Sequence, residues 1–179
     1  GYQALYTNTT GEYNVATGDS VLYSNTTGHS NTANGNKSLY TNSTGTHNVA
    51  TGSQALYSNT EGVSNTATGY RSLFSNTTGE YNTANGYEAG KLSIADSNTF
   101  VGSYADVDAA GAIWTNSTAL GYNAKITASN QIMLGTAPEE VVAPGNMDIG
   151  GNTAIAGTLG VTGDASFNSR VDICGNLYA

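Results

Sequence analysis

The sequence predicts an all-β chain: a parallel β-solenoid or β-roll of 17-residue coils, homotrimeric, running into a triple-stranded β-shaft of six-residue repeats. Three observations predict this. Gly, Leu, aromatic and Asn residues recur together every 17 positions through five copies. The composition is poor in charge yet rich in regularly placed tyrosine. From residue 146 a second rhythm, of six, takes over.

Composition sets the class. Only 10% of the 179 residues are Asp, Glu, Lys or Arg, against about 25% in ordinary globular chains. Asn, Thr, Ser and Gly fill the gap, as they do in both disordered chains and repeat proteins. Disordered chains hold few aromatics. This one holds 12 Tyr, 3 Phe and 1 Trp at fixed intervals, so the repeat reading stands. The net charge of −8 argues against nucleic acid, which is bound by Lys and Arg neutralising phosphates. It argues equally against an anionic membrane surface. No apolar run approaches the roughly 20 residues of a membrane helix, so no membrane insertion by this segment is expected. Gly1 is in phase with the repeat, which reads as a segment of something longer. Cys174 stands alone, so an intrachain disulfide is excluded. It reads as a small apolar residue in a packed strand.

The 17-residue unit occupies residues 1–85. Its columns are Gly1, Gly18, Gly35, Gly52 and Gly69; Leu5, Leu22, Leu39, Leu56 and Leu73; and Tyr6, Tyr23, Tyr40, Tyr57 and Phe74. Asn8, Asn25, Asn42, Asn59 and Asn76 follow, and Asn14, Asn31, Asn48, Asn65 and Asn82 make a further column. Each unit reads as two short strands, "QALY" and "NVAT" in type, joined by "SNTTG" turns. Asn and Gly suit such turns because they enter the left-handed region at low cost. No window sustains a helical period of 3.6. Tandem identical units suggest stacked coils about 4.8 Å apart, with Asn amides hydrogen-bonded along each column. In a strand Leu5 and Tyr6 point to opposite faces. With Leu inside, the aromatics form an outer stripe of a kind that monomers rarely expose. Neighbouring copies are expected to cover it.

Beyond Gly86 the repeat loosens. "NTFVG", "STALG" and "QIMLG" end at Gly102, Gly121 and Gly135, at intervals of 16, 19 and 14 residues. Residues 86–135 therefore read as divergent coils or a cap. The 19-residue unit holds Trp114, expected to be a packing plug or a small protruding loop. Pro138 and Pro144 flank Glu139 and Glu140 in a neck, 136–145, where Pro removes ladder donors. Residues 146–179 are the hexad shaft. One column holds Ile149, Ile155, Val161, Phe167 and Ile173, another Met147, Thr153, Leu159, Ala165, Val171 and Leu177. A six-residue unit encloses no core alone. Either three units make one coil of a single-chain helix, or three chains wind about one axis. The small number of hexads favours three chains.

No catalytic constellation appears, and the chain is not expected to be an enzyme or to bind a cofactor or metal. His29 and His47 fall at variable, hence solvated, positions. Asp residues follow no calcium-loop pattern. N-x-[ST] sequons occur at Asn8, Asn25, Asn36, Asn42, Asn76 and Asn116. Most of them arise from the turn motif itself.

"NVATGSQAL" (48–56) and "NTATGYRSL" (65–73) resemble the head repeats of trimeric autotransporter adhesins, with their A-x-G-x-x-[SA] core. The resemblance implies a left-handed parallel β-roll with three chains side by side. The hexads resemble shaft repeats of phage and large-virus tail fibres. Together these imply a structural fibre segment of an extracellular, cell-surface or virion-surface appendage, used for adhesion or host attachment. Its partners would be further copies of itself and a cell-surface glycan or protein receptor. The alternative is a purely structural subunit of a self-polymerising filament or sheath.

Overall fold

The computed structural model describes residues 1–136. The remainder of the neck and the hexads with both their apolar columns lie outside the described residues. Ten strands are present among those described: β1 (Val15–Thr17), β2 (Thr32–Asn34), β3 (Val49–Thr51), β4 (Thr66–Thr68), β5 (Thr83–Asn85), β6 (Thr99–Val101), β7 (Asp106–Val107), β8 (Thr118–Leu120), β9 (Lys125–Ile126) and β10 (Ile132–Leu134). Eight form one parallel sheet in the order β1-β2-β3-β4-β5-β6-β8-β10, and β7 pairs with β9 in a second. The chain thus winds as a parallel β-solenoid of about seven coils, about 17 residues apart.

Register is held throughout. Ala16 pairs with Ala33, Ala33 with Ala50, Ala50 with Ala67 and Ala67 with Ala84. Where the sequence loosens, Thr83 pairs with Thr99, Thr99 with Thr118 and Thr118 with Ile132. Length changes are therefore taken up in the turns, and the sheet runs unbroken past residue 86. Each strand alternates as its pleat requires: Thr66 and Thr68 face out while Ala67 faces the core.

The Leu–aromatic segment is not the second strand that its hydrophobic residues suggest. It consists of two consecutive tight turns. In one coil the Ala55 N–H donates to Gly52 O and the Asn59 N–H to Leu56 O, both at 3.2 Å. Gln54 and Leu56 take φ of 59° and 50°, in the left-handed region, where a residue with a Cβ sits at a cost of about 1–2 kcal/mol. Bonds between coils offset this cost. The Leu56 N–H donates to Ser72 O at 3.0 Å and the Gln54 N–H to Asn36 O at 2.9 Å. Leu22, Leu39 and Leu73 repeat the torsion at 49°, 49° and 48°. A left-handed leucine is rare enough that a strand was the natural reading.

The core is thin, and its main columns are Leu and Ala. Leu22, Leu39, Leu56 and Leu73 are fully buried, as are Ala33, Ala50, Ala67 and Ala84. Large meets small, and the residue before each Leu (Val21, Ser38, Ala55 and Ser72) adds a smaller buried column. One coil later the assignment is exchanged: Gly90 stands in the Leu column and Phe100, fully buried, in the Ala column. A Cβ on Gly90 would come within 2.7 Å of Phe100 Cδ2 and 2.8 Å of Leu73 Cδ2. The glycine column has a different cause. Gly35, at φ 125°, lies so close to the next coil that a Cβ would meet Gly52 C at 2.6 Å and O at 2.7 Å. Backbone stacks directly on backbone there.

Candidate functional site

Among the described residues no group of three or more His, Cys, Asp or Glu side chains is placed to hold a metal ion. The chemically distinctive features are columns and faces. In the first Asn column, Nδ2 of Asn25, Asn42, Asn59 and Asn76 donates to Oδ1 of the Asn one coil back, at 2.7, 2.8, 2.8 and 3.0 Å. The same amide also donates to the glycine carbonyl that closes its own turn, as from Asn42 to Gly45 O at 3.0 Å. Asn8, at the end of the column, bonds Gly11 O at 2.9 Å.

The second Asn column is stronger. Both the backbone N–H and Nδ2 of Asn48 donate to Asn31 Oδ1, at 3.0 and 3.2 Å. Nδ2 also donates to Gly62 O at 2.7 Å. Asn65 and Asn82 repeat the pattern. The column carries on through Asn98, whose Oδ1 accepts the Ser117 N–H at 3.1 Å. The first column stops at Asn76. Seventeen residues later stands Ser93, and the Asn76 Oδ1 and Ser93 Oγ are both buried without a hydrogen-bond partner.

Aromatic rings stack along the axis. Tyr6, Tyr23, Tyr40, Tyr57 and Phe74 follow one another at centroid separations of 5.1–5.2 Å, near parallel. The Arg71 guanidinium lies 4.3 Å from the centre of the Phe74 ring. A second column begins with Tyr70 over Tyr87 at 5.2 Å and turns edge-on at Tyr104 and Tyr122. Tyr23, Tyr40, Tyr57 and Phe74 are only partly exposed, because each ring is covered by its neighbours. The bare aromatic stripe expected from the sequence is thus largely closed by the chain itself.

The barest continuous surface is the outer face of the large sheet. Its outward positions are Val15 and Thr17, then Thr32 and Asn34, and so on to Ile132 and Leu134, and none carries a charge. Toward the later coils it becomes apolar: Val101, Leu120, Ile132 and Leu134 are all exposed.

The sequons divide by burial. Asn25, Asn42 and Asn76 are fully buried, and their Nδ2 atoms are committed to the ladder, which leaves no room for a glycan in the folded coil. Asn8 is partly covered and bonded. Asn36 and Asn116 are exposed. Their amides reach Asp19 and Asn130, at 3.1 and 2.8 Å.

Sequence reasoning missed Asp106. It occupies the Leu column one coil past Gly90 and is 3% exposed. Its carboxylate accepts the Val107 N–H at 2.8 Å and the Leu92 N–H at 3.1 Å. Burial raises its pKa to about 6, and these amides with Lys125 and Lys91 hold it from rising further. Nearby, Glu88 joins Lys91 at 3.0 Å and Arg71 at 3.6 Å. The signal available in the sequence was an Asp one residue before Val where a Leu was due.

Trp114 packs partly buried against the core and its indole N–H donates to Asp108 Oδ1 at 3.0 Å. It closes an exposed loop that contains Ala109, Ala110 and Gly111. Both sequence readings, plug and protruding loop, describe this segment. His29 and His47 are exposed, ring edge to ring face at 5.2 Å. His29 also lines a cavity of about 220 Å³ with Thr10, Glu12 and Tyr13. A scan against protein-family models, a search of curated proteins and a search of solved structures return no match to the chain.

Proposed function

We propose that the chain is a structural fibre segment of an extracellular or virion-surface appendage, built as a homotrimer, used for adhesion or host attachment and without catalytic activity. The observation that carries this reading is the union of rigid ladders with a charge-free, partly apolar sheet face. Two Asn columns and a ring stack couple every coil to the next, so the solenoid resists bending. Its charge-free sheet face, with exposed Val, Leu and Ile, suits burial against copies of itself. The likeness of "NTATGYRSL" to adhesin head repeats, and of the hexads to tail-fibre shafts, supports the same reading. A net charge of −8 disfavours nucleic acid as a partner. No helix among the described residues is long and apolar enough to cross a membrane.

The test is the mass in solution. Light scattering is expected to give three chains of 18.3 kDa per particle at micromolar concentration. The double substitution Thr68→Lys with Leu120→Lys, which places cations on the sheet face, should release monomers. A wild-type chain that is folded and monomeric at all concentrations would remove the homotrimer. Long filaments by electron microscopy would favour the alternative, a self-polymerising structural subunit.

A further inference from the structure

We propose that the cavity between the first two coils is a subsite for a neutral saccharide ring. This rests on the adhesive reading and gives it a location. The cavity, about 220 Å³, is bounded by Thr10, Glu12, Tyr13 and His29. That is below the roughly 300–1,000 Å³ of sites for drug-sized ligands, so the occupant is small. Its lining mixes an acceptor-only carboxylate with a hydroxyl, a phenol and an imidazole, which donate and accept. A polyol needs both kinds at close quarters. Tyr13 adds a ring that is 82% exposed, with an apolar face for the C–H side of a pyranose and a polar edge. No Lys or Arg lines the cavity, which disfavours sulfated or carboxylated sugars.

The backbone that carries the lining is tied before any ligand arrives. The Ser30 N–H donates to Glu12 O at 3.0 Å and the Thr10 N–H to Thr26 O at 3.1 Å, tying the two coils on either side of the cavity. The His29 ring is set by Ser30 Oγ at 3.3 Å from Nδ1 and by the His47 ring. Preformed walls spare the ligand an ordering cost.

The chain contains its own control. The heptapeptide "NTTGEYN" occurs at 8–14 and again at 76–82. At the second copy the following coil brings Asp96 instead of an imidazole, and its Oδ1 accepts the Glu80 N–H at 2.9 Å. Two carboxylates then stand where the first copy pairs a carboxylate with His29. The same turn therefore sets an imidazole beside its carboxylate only in the first copy.

The experiment is a saturation-transfer NMR titration of the full chain with the methyl glycosides of glucose, galactose, mannose and N-acetylglucosamine. At least one should bind with millimolar affinity. Tyr13→Ala and Glu12→Gln should each weaken it at least tenfold, while Tyr81→Ala and Glu80→Gln leave it unchanged. All four positions are at the surface, and matching thermal melts verify folding. Binding that survives Tyr13→Ala and Glu12→Gln overturns the proposal but leaves adhesion elsewhere on the fibre. No binding of the four glycosides, with wild-type signal on an array of larger glycans that Tyr13→Ala does not reduce, overturns the subsite alone. Silence in both assays removes the glycan-adhesive reading as well. Tetramethylammonium binding in place of the glycosides would reassign the cavity to a cationic ligand.

Discussion

Coils drawn from residues 1–85 and those drawn from 86–135 share one sheet and one register, yet they are held together differently. The earlier coils rest on identity. Every coil repeats Leu against Ala, Asn upon Asn and ring upon ring, so each contact is made again in the next coil. The later coils rest on compensation. Gly90 makes room for Phe100, Asp106 replaces a leucine and finds two backbone N–H donors, and of the two Asn columns only the second reaches Asn98. The difference teaches that the parallel sheet propagates the solenoid with fewer repeated contacts, one amide ladder, a second ring column from Tyr70 to Tyr122 and the β7–β9 pair. The Leu column, the aromatic column and the first Asn column are each interrupted without breaking the sheet.

This comparison can be broken hardest at the second Asn column. Asn48→Ala would leave the Asn65 N–H without an acceptor in a buried position and remove three further hydrogen bonds, to Asn31 Oδ1, to Gly62 O and from Asn65 Nδ2. At about 1–3 kcal/mol for the orphaned N–H and about 1 kcal/mol for each of the other bonds, urea unfolding should show a loss of about 5 kcal/mol. Asn116→Ala, at an exposed amide, should change stability by less than about 0.5 kcal/mol.

The Gly90–Phe100 exchange sharpens it next. Phe100→Ala should cost about 4 kcal/mol, and Gly90→Leu about 1–3 kcal/mol by overpacking. The double variant restores the pattern of the earlier coils, in which Leu73 already takes a φ of 48° close to the 60° of Gly90. It should lie within about 1 kcal/mol of the parent, and a double-mutant cycle measures that coupling. Additive losses would refute the exchange.

Asp106 makes the later coils sensitive to pH. Its folded pKa of about 6 exceeds the ordinary value of 3.8, so the folded state binds the proton more tightly than the unfolded one. The associated stability is fully present below pH 3.8 and is lost as pH rises through 6. Its size is on the order of 3 kcal/mol. Asp106→Asn should flatten the stability profile between pH 4 and 7, measured by chemical denaturation. A profile identical to the parent's would show that the carboxylate is not the titrating group.

The smallest effect lies where the first Asn column ends. Ser93→Asn offers a donor to the unpartnered Asn76 Oδ1 and should add about 1 kcal/mol. A loss of stability would mean that the shortened coil cannot seat a longer side chain.

Most of the architecture was legible because a repeat reports its own geometry. Seventeen-residue spacing fixed the coil, β-branched residues around Ala marked the strands, and the invariant Asn at the turns anticipated the ladders. The Leu–aromatic segment was misread because apolar content signals burial, not torsion. Nothing local announces a left-handed leucine, since its cost is offset by amides one coil away. The need for partners was traced in the sequence to a bare aromatic stripe, whereas stacking closes much of that stripe and the open surface is the sheet face. Glu12 and His29 stand one repeat apart, so their stacking followed from the period, but the open space beside Tyr13 did not.

The sequence by itself determined the coil length, the parallel strand face, the Asn and Leu columns and the scarcity of charge, because each is a property of a single repeat and its period. Only the tertiary structure decided which backbone groups bond up and which down, which Asn amides are sealed from solvent, how Phe100 and Gly90 compensate, and why the Asp106 pKa lies above the ordinary carboxylate value. Those are properties of one coil lying upon another. The energy of a buried group is set by the neighbour that meets it, and the order of residues along the chain does not name that neighbour.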